Sequence, residues 1–166
     1  AIAESCNVFF YAVAGGWDKI RGLGILKFKD YLGKFGFGTK SGVDLPGAAA
    51  GLVPDPDWKE QYKKEIWYLG DTYHLGIGQG DFLVTPLQMA VAMSAITNGG
   101  ELLSPQIVSK ITDKDGKVIQ DFQKKVISAN FIDNENLQIV REGMRLAVTG
   151  GSASQLQNLP VAAAAK

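Results

Sequence analysis

The stretch VTPLQMAVAMSAITNGG, residues 84–100, carries the strongest local instruction in the chain. Thr85 is a helix cap, Pro86 suits the first helical position, and Gln88, three residues after Thr85, completes a capping box. The run that follows reaches Gly99-Gly100, a natural left-handed stop. Its apolar residues go all the way round the helical wheel, which predicts a central helix buried on every side.

Working outward, PQIVSKITDKDGKVIQDF (105–122) holds two β-rich runs around Asp115-Gly116 and reads as a hairpin. In NENLQIVREGMRLAV (134–148), Leu137, Val140, Met144 and Ala147 recur at helical spacing, giving an amphipathic helix that stops near Gly150-Gly151. The closing LPVAAAAK (159–166) looks like the start of a strand. Upstream, the apolar run VFFYAVA (8–14) ends at Gly15-Gly16. A second helix is expected from about Ile20 to Phe35, with Ile25, Phe28, Tyr31, Leu32 and Phe35 on one face and Gly36 and Gly38 as stops. From there to about Phe82 the chain is rich in Gly, Pro and Asp. Trp58, Tyr62, Trp67 and Tyr68 predict that this is a packed, wrapping loop region rather than disorder. The class is α+β, with the sheet under-represented.

At 166 residues the chain can bury one core but not two comfortable ones. Seventeen basic residues balance seventeen acidic ones, so nothing recruits nucleic acid or anionic lipid by charge. A single cysteine, Cys6, rules out an internal disulfide framework. The longest small-or-apolar stretch, 89–96, is far too short to span a bilayer. With no initiating Met and an opening apolar helical pattern, the chain reads as part of something longer, with an anchor or targeting segment expected upstream.

Chemistry is sparse. One His and one Cys cannot make a zinc cluster. His74 has no serine elbow to accompany it and reads as structural or surface. Gly76-Ile77-Gly78-Gln79-Gly80 displaces the third glycine of a dinucleotide fingerprint and lacks a βαβ setting. It reads instead as a tight turn that brings backbone close to a neighbouring element. Asp55 and Asp57, beside prolines, read as solvated turn residues. That leaves Ser5-Cys6-Asn7, polar groups among Ala, Ile, Val and Phe where unpaired burial is costly. Two residues apart within a helix they would point to different sides; in a non-helical joint they share one. Either SCN is such a joint, with both side chains facing one cleft, or Ser5 or Asn7 caps the helix that follows.

The blocks SCN (5–7), GVDLPG (42–47), GDT (70–72), GIGQG with VTPLQMA (76–80, 84–90), NGG (98–100), IVREGM (139–144) and a terminal AAK occur in that order. Together they resemble the transpeptidase domain of class B penicillin-binding proteins, and IGQG ahead of VTPLQ is most similar to the elongation-type enzymes, penicillin-binding protein 2. The resemblance covers nearly the whole chain, 1–166, as a partial transpeptidase domain. It implies the penicillin-binding-protein/β-lactamase-like fold, helices packed on an antiparallel sheet that is incomplete here. That family places SxxK, SxN and KTG motifs around one cleft. SCN matches the second, and Lys166 falls where the third begins. No serine here is followed three residues later by lysine, so the nucleophile and its base are absent and the chain alone is expected to be inactive.

The activity so implied is acyl transfer: a serine attacks the penultimate carbonyl of a stem peptide ending in D-Ala-D-Ala, and a neighbouring strand's amine takes the acyl group. Catalytic roles carried over from the motif fall on Ser5 (proton relay), Asn7 (amide contact to substrate and to the SxxK lysine) and Lys166 (positive charge for the terminal carboxylate), with Asn7 and Lys166 also binding substrate. No cofactor or metal is implied. The expected partners are stem peptides, β-lactam antibiotics, a cell-wall elongation glycosyltransferase and scaffold proteins, and no nucleic acid. The expected location is the outer, periplasmic face of a bacterial cytoplasmic membrane. A β-lactam-sensing or β-lactamase-type serine acyl-enzyme, or a non-catalytic scaffold, are the competing readings. His74, Asp71 and Gln79 receive no catalytic role.

Overall fold

The computed structural model describes residues 1–166. Helices α1 (Asn7–Gly15), α2 (Gly24–Lys34), α3 (Pro56–Lys63), α4 (Leu69–Gly76) and α5 (Pro86–Thr97) precede four short strands, β1 (Leu102–Leu103), β2 (Lys110–Thr112), β3 (Val118–Asp121) and β4 (Val126–Ser128); α6 (Asn134–Gly150) and a 3₁₀ turn (Ser154–Asn158) follow. The strands form two antiparallel pairs, β1 with β4 and β2 with β3, one hairpin nested inside the other. The class is α+β, as expected. Gly116, at φ +82°, makes the inner turn, and the Asp113 carboxylate accepts the Asp115 and Lys117 N–H groups at 3.0 and 2.9 Å to hold it closed.

The capping box at α5 forms. The Gln88 N–H donates to Thr85 Oγ1 at 3.1 Å, and the Thr85 N–H donates to Gln88 Oε1 at 2.8 Å. Gly99 and Gly100 both take positive φ at the other end, with the Gly100 N–H returning to Ala95 O. The burial does not follow the expectation. Gln88, Ala92 and Ala95 make a single buried stripe, while Leu87 and Met89 stand 36% and 43% exposed. Periodicity reports apolar character, but burial needs an element on each side, and within these residues packing comes from one side only.

The region 36–82 contains α3 and α4, where the sequence predicted irregular wrapping loop. The starts of both helices resemble turns. Asp55 is the N-cap of α3, accepting the Trp58 N–H at 2.7 Å, and Pro56 is its first residue; Asp-Pro reads as a turn when its helix is only two turns long. Asp55 also pairs with Lys29 of α2, so it is not the solvated residue expected. In α4, Gly70 and Gly76 blur the period. Its Asp71 accepts the Tyr68 N–H at 2.7 Å and the Lys59 ammonium at 2.8 Å. Lys59 is only 6% exposed and also lies 5.1 Å from the centre of the Tyr68 ring.

Gly76 ends α4 against α1. A Cβ there would come within 2.6 Å of Ala14 Cβ and 3.1 Å of Phe10 O, so the expected close backbone approach is what this glycine permits. The Tyr73 hydroxyl completes the contact by donating to Gly16 O at 2.8 Å. Residues 159–166 form no strand. A strand exists only with a ladder partner, and here the backbone turns to α6 instead: Ala165 N–H donates to Met144 O at 3.0 Å.

Three carboxylates brace these loops. Asp44 accepts Val108 N–H at 3.0 Å and Ile107 N–H at 2.8 Å, and those bonds hold its pKa below the ordinary aspartate value of 3.8. Burial opposes ionisation of Asp55 and Asp71, but the Lys29 and Lys59 hydrogen bonds and the backbone donors outweigh it and lower both. Carboxylates with lowered folded pKa values contribute their full stability above the unfolded value and lose it as pH falls through the folded one. The urea midpoint should therefore hold steady down to roughly pH 4 and then drop. Asp44→Asn should shrink that drop; a midpoint falling equally in the mutant would remove Asp44 from the account.

Candidate active site

The two ends of the chain meet on α6. At the N-terminus a turn closes with Ser5 N–H donating to Ile2 O at 3.2 Å and Cys6 N–H to Ala1 O at 3.1 Å. Ser5 sits in the left-handed region at φ +50°, which swings the chain out of the turn before α1 begins. Cys6 is the N-cap of α1, without a side-chain capping bond. Ser5 and Cys6 thus form a non-helical joint while Asn7 already belongs to α1, and neither Ser5 nor Asn7 serves as the side-chain cap.

Lys166 Nζ donates to Ser5 Oγ at 2.7 Å across 161 residues of sequence separation. The same ammonium stands 5.3 Å from the centre of the Phe10 ring, close enough for a cation–π attraction. Asn7, the first residue of α1, is exposed, and its amide bonds to neither of the other two. Of the three residues marked out by sequence, the structure therefore joins Ser5 to Lys166 and leaves Asn7 exposed without a bond to either. A hydroxyl that accepts from a fixed ammonium keeps its own proton available to donate elsewhere.

Phe10 was missed. It lies three residues after Asn7, one turn along α1, a spacing that could have flagged it once SCN was read as a functional joint. Asp71 is occupied by Lys59 and the start of α4. With exposed His74 and Gln79 it lines a small separate cleft beside Trp67 and Asp81. No group of three or more His, Cys, Asp and Glu side chains is assembled that could hold a metal ion.

The family model for the penicillin-binding protein transpeptidase domain matches residues 1–166. The chain belongs to this family. Among penicillin-binding protein transpeptidases, the peptidoglycan D,D-transpeptidase MrdA of Salmonella typhimurium is 34% identical over 171 residues, covering 100% of this chain and 26% of the relative. Penicillin-binding protein 2 of Helicobacter pylori, solved in complex with MreC, superposes with a TM-score of 0.77 at 32% identity, covering 99% of this chain and 28% of that one. Penicillin-binding protein 2 of Pseudomonas aeruginosa gives 0.71 at 32% identity, covering 90% and 32%. The chain thus spans about a quarter to a third of the length of these relatives. No helix is long and apolar enough to cross a membrane.

Proposed function

We propose that residues 1–166 are part of a transpeptidase domain, running from its SxN motif to the lysine of its KTG motif, in a peptidoglycan D,D-transpeptidase of the elongation type. The observation that supports this reading is the 2.7 Å bond between Lys166 and Ser5, which brings two of the family's motif positions into contact at the surface. The reaction is formation of a serine ester with the penultimate D-Ala of a stem peptide, release of the last D-Ala, and transfer of the acyl group to an acceptor amine. The attacking serine is not among these residues. Ser5 passes the proton between that serine's base and the leaving amine, Asn7 offers its amide to the substrate backbone, and Lys166 presents charge to the substrate carboxylate. β-Lactams, which resemble the peptide terminus, acylate the same serine. The 166-residue chain alone therefore forms no penicillin adduct.

The partners that fit this role are stem peptides, an elongation glycosyltransferase and scaffold proteins of the cell-wall machinery, with MreC, the partner of the Helicobacter relative, as the first to test. The site of action is the periplasmic face of the cytoplasmic membrane.

Lys166→Ala in the nucleophile-bearing protein tests the reading. A charge-assisted hydrogen bond to a carboxylate is worth about 1.5–3 kcal/mol, roughly a 10- to 100-fold effect. Pre-covalent affinity for a penicillin should fall by that factor, and affinity for its methyl ester far less. Equal losses on both would overturn the role of Lys166.

A further inference from the structure

The Ser5–Lys166 bond joins two exposed side chains on segments that belong to no helix or strand. Left to themselves, such segments would hold neither atom in place. What holds them is the C-terminal half of α6. On one side Ser152, just past that helix, donates twice to the carbonyl of buried Ala3: its N–H and its Oγ each lie 2.9 Å from Ala3 O. The turn that ends in Ser5 is thereby fastened two residues ahead of it. Gly143 and Gly151 let the turn come this close. A Cβ on Gly143 would reach 3.0 Å from Ile2 Cβ, and one on Gly151 would collide with the Ala3 carbonyl. On the other side Arg145 Nη1 donates to Ala163 O at 2.7 Å and Met144 O accepts the Ala165 N–H at 3.0 Å. Both arms of the site hang on α6 and the residues that directly follow it.

We propose that Ser152 and Arg145 are positioning residues of this site, Ser152 setting the place of the Ser5 hydroxyl and Arg145 that of the Lys166 ammonium. The inference rests on the transpeptidase reading given above. Neither residue touches substrate in this scheme. Each acts through the backbone of the segment it holds, so their loss should fall on different steps. Ser5 moves a proton during bond making, so loosening its arm slows acylation without weakening the encounter. Lys166 recognises a carboxylate, so loosening its arm weakens the encounter for acids only. Small displacements of positioned groups have large kinetic effects.

The test uses the nucleophile-bearing protein with a penicillin and its methyl ester, separating the acylation rate constant from the pre-covalent dissociation constant. Ser152→Ala should lower the rate constant by roughly 5- to 30-fold and leave the dissociation constant within about twofold. Ser152→Thr, which restores the hydroxyl, should recover most of the loss. In a Ser5→Ala background Ser152→Ala should add less than about twofold, because the step it serves is already gone. Arg145→Ala should raise the dissociation constant for the penicillin by roughly 5- to 20-fold and leave the ester unmoved, with Arg145→Lys intermediate. Unchanged acylation in Ser152→Ala, a full multiplicative loss on top of Ser5→Ala, or an equal Arg145→Ala effect on acid and ester would overturn the proposal. If Ser152→Ala failed to fold, Ser152→Cys would carry the same measurement. Normal acylation by Ser5→Ala itself would instead remove the role of Ser5 in the proposed function on which this inference rests, whatever Ser152 does.

Discussion

Ser5→Ala should lower the rate at which a penicillin acylates the nucleophile-bearing protein by on the order of 10²–10⁴, the range for a positioned proton-transfer group. Removing Oγ deletes the acceptor of the Lys166 bond and the only hydroxyl at the joint. The rest of the turn should survive, because its closing bonds run through the backbone from Ser5 and Cys6 to Ile2 and Ala1. Ser5 already occupies the left-handed region at φ +50°, where alanine and serine bear the same Cβ penalty. The loss should therefore appear in the acylation rate constant with little change in thermal stability. Stopped-flow acylation or gel labelling with a fluorescent penicillin reads it directly. A mutant acylated at the native rate would take Ser5 out of the mechanism.

Gln88→Leu should destabilise the fold by about 3–5 kcal/mol, a large share of a typical domain's stability. Gln88 is 2% exposed and spends its whole amide. Its Nε2 donates to Thr39 O at 2.9 Å and to Ala50 O at 2.8 Å, and its Oε1 accepts the Thr85 N–H at 2.8 Å. Leucine fills a similar volume but leaves two carbonyls and the N–H of Thr85, the cap of α5, unpaired, at about 1–3 kcal/mol for each stranded group. The damage should spread beyond α5, since those carbonyls belong to the glycine-rich loops that flank the Leu52–Leu83 bridge. Urea unfolding of the wild-type and mutant proteins measures the difference. A loss under about 1 kcal/mol would mean that water reaches the stranded groups and that Gln88 does not hold the loops.

Gln88 also marks the boundary of what sequence reasoning reaches. Its local role, closing the capping box with Thr85, was legible because both partners lie within one turn. Its side-chain reach to residues 39 and 50 was not, because a glutamine in an apolar helix looks the same whether it caps, faces solvent or stitches loops. α3 and α4 were missed for a related reason. Each is eight residues long, below the length at which a helix holds itself together. They persist through long-range pairs such as Lys29 with Asp55 and Lys59 with Asp71, which no local window contains.

The site divides the same way. The polarity of Ser5 and Asn7 was visible at once, but their local pattern favoured a cap. Their link to Lys166 came into view only through resemblance to a family. Taken alone, the residues determined the elements whose causes lie within about four positions: the α5 cap, its Gly99-Gly100 stop, the turn at Gly116 and the amphipathic α6. Tertiary structure decided which faces are buried, where short helices survive, and that position 5 meets position 166. Short-range hydrogen bonds are chosen by the neighbours a residue already has. A contact across 161 residues depends on α6 holding both ends, and the entropy of that closure is met by the whole fold rather than by the pair.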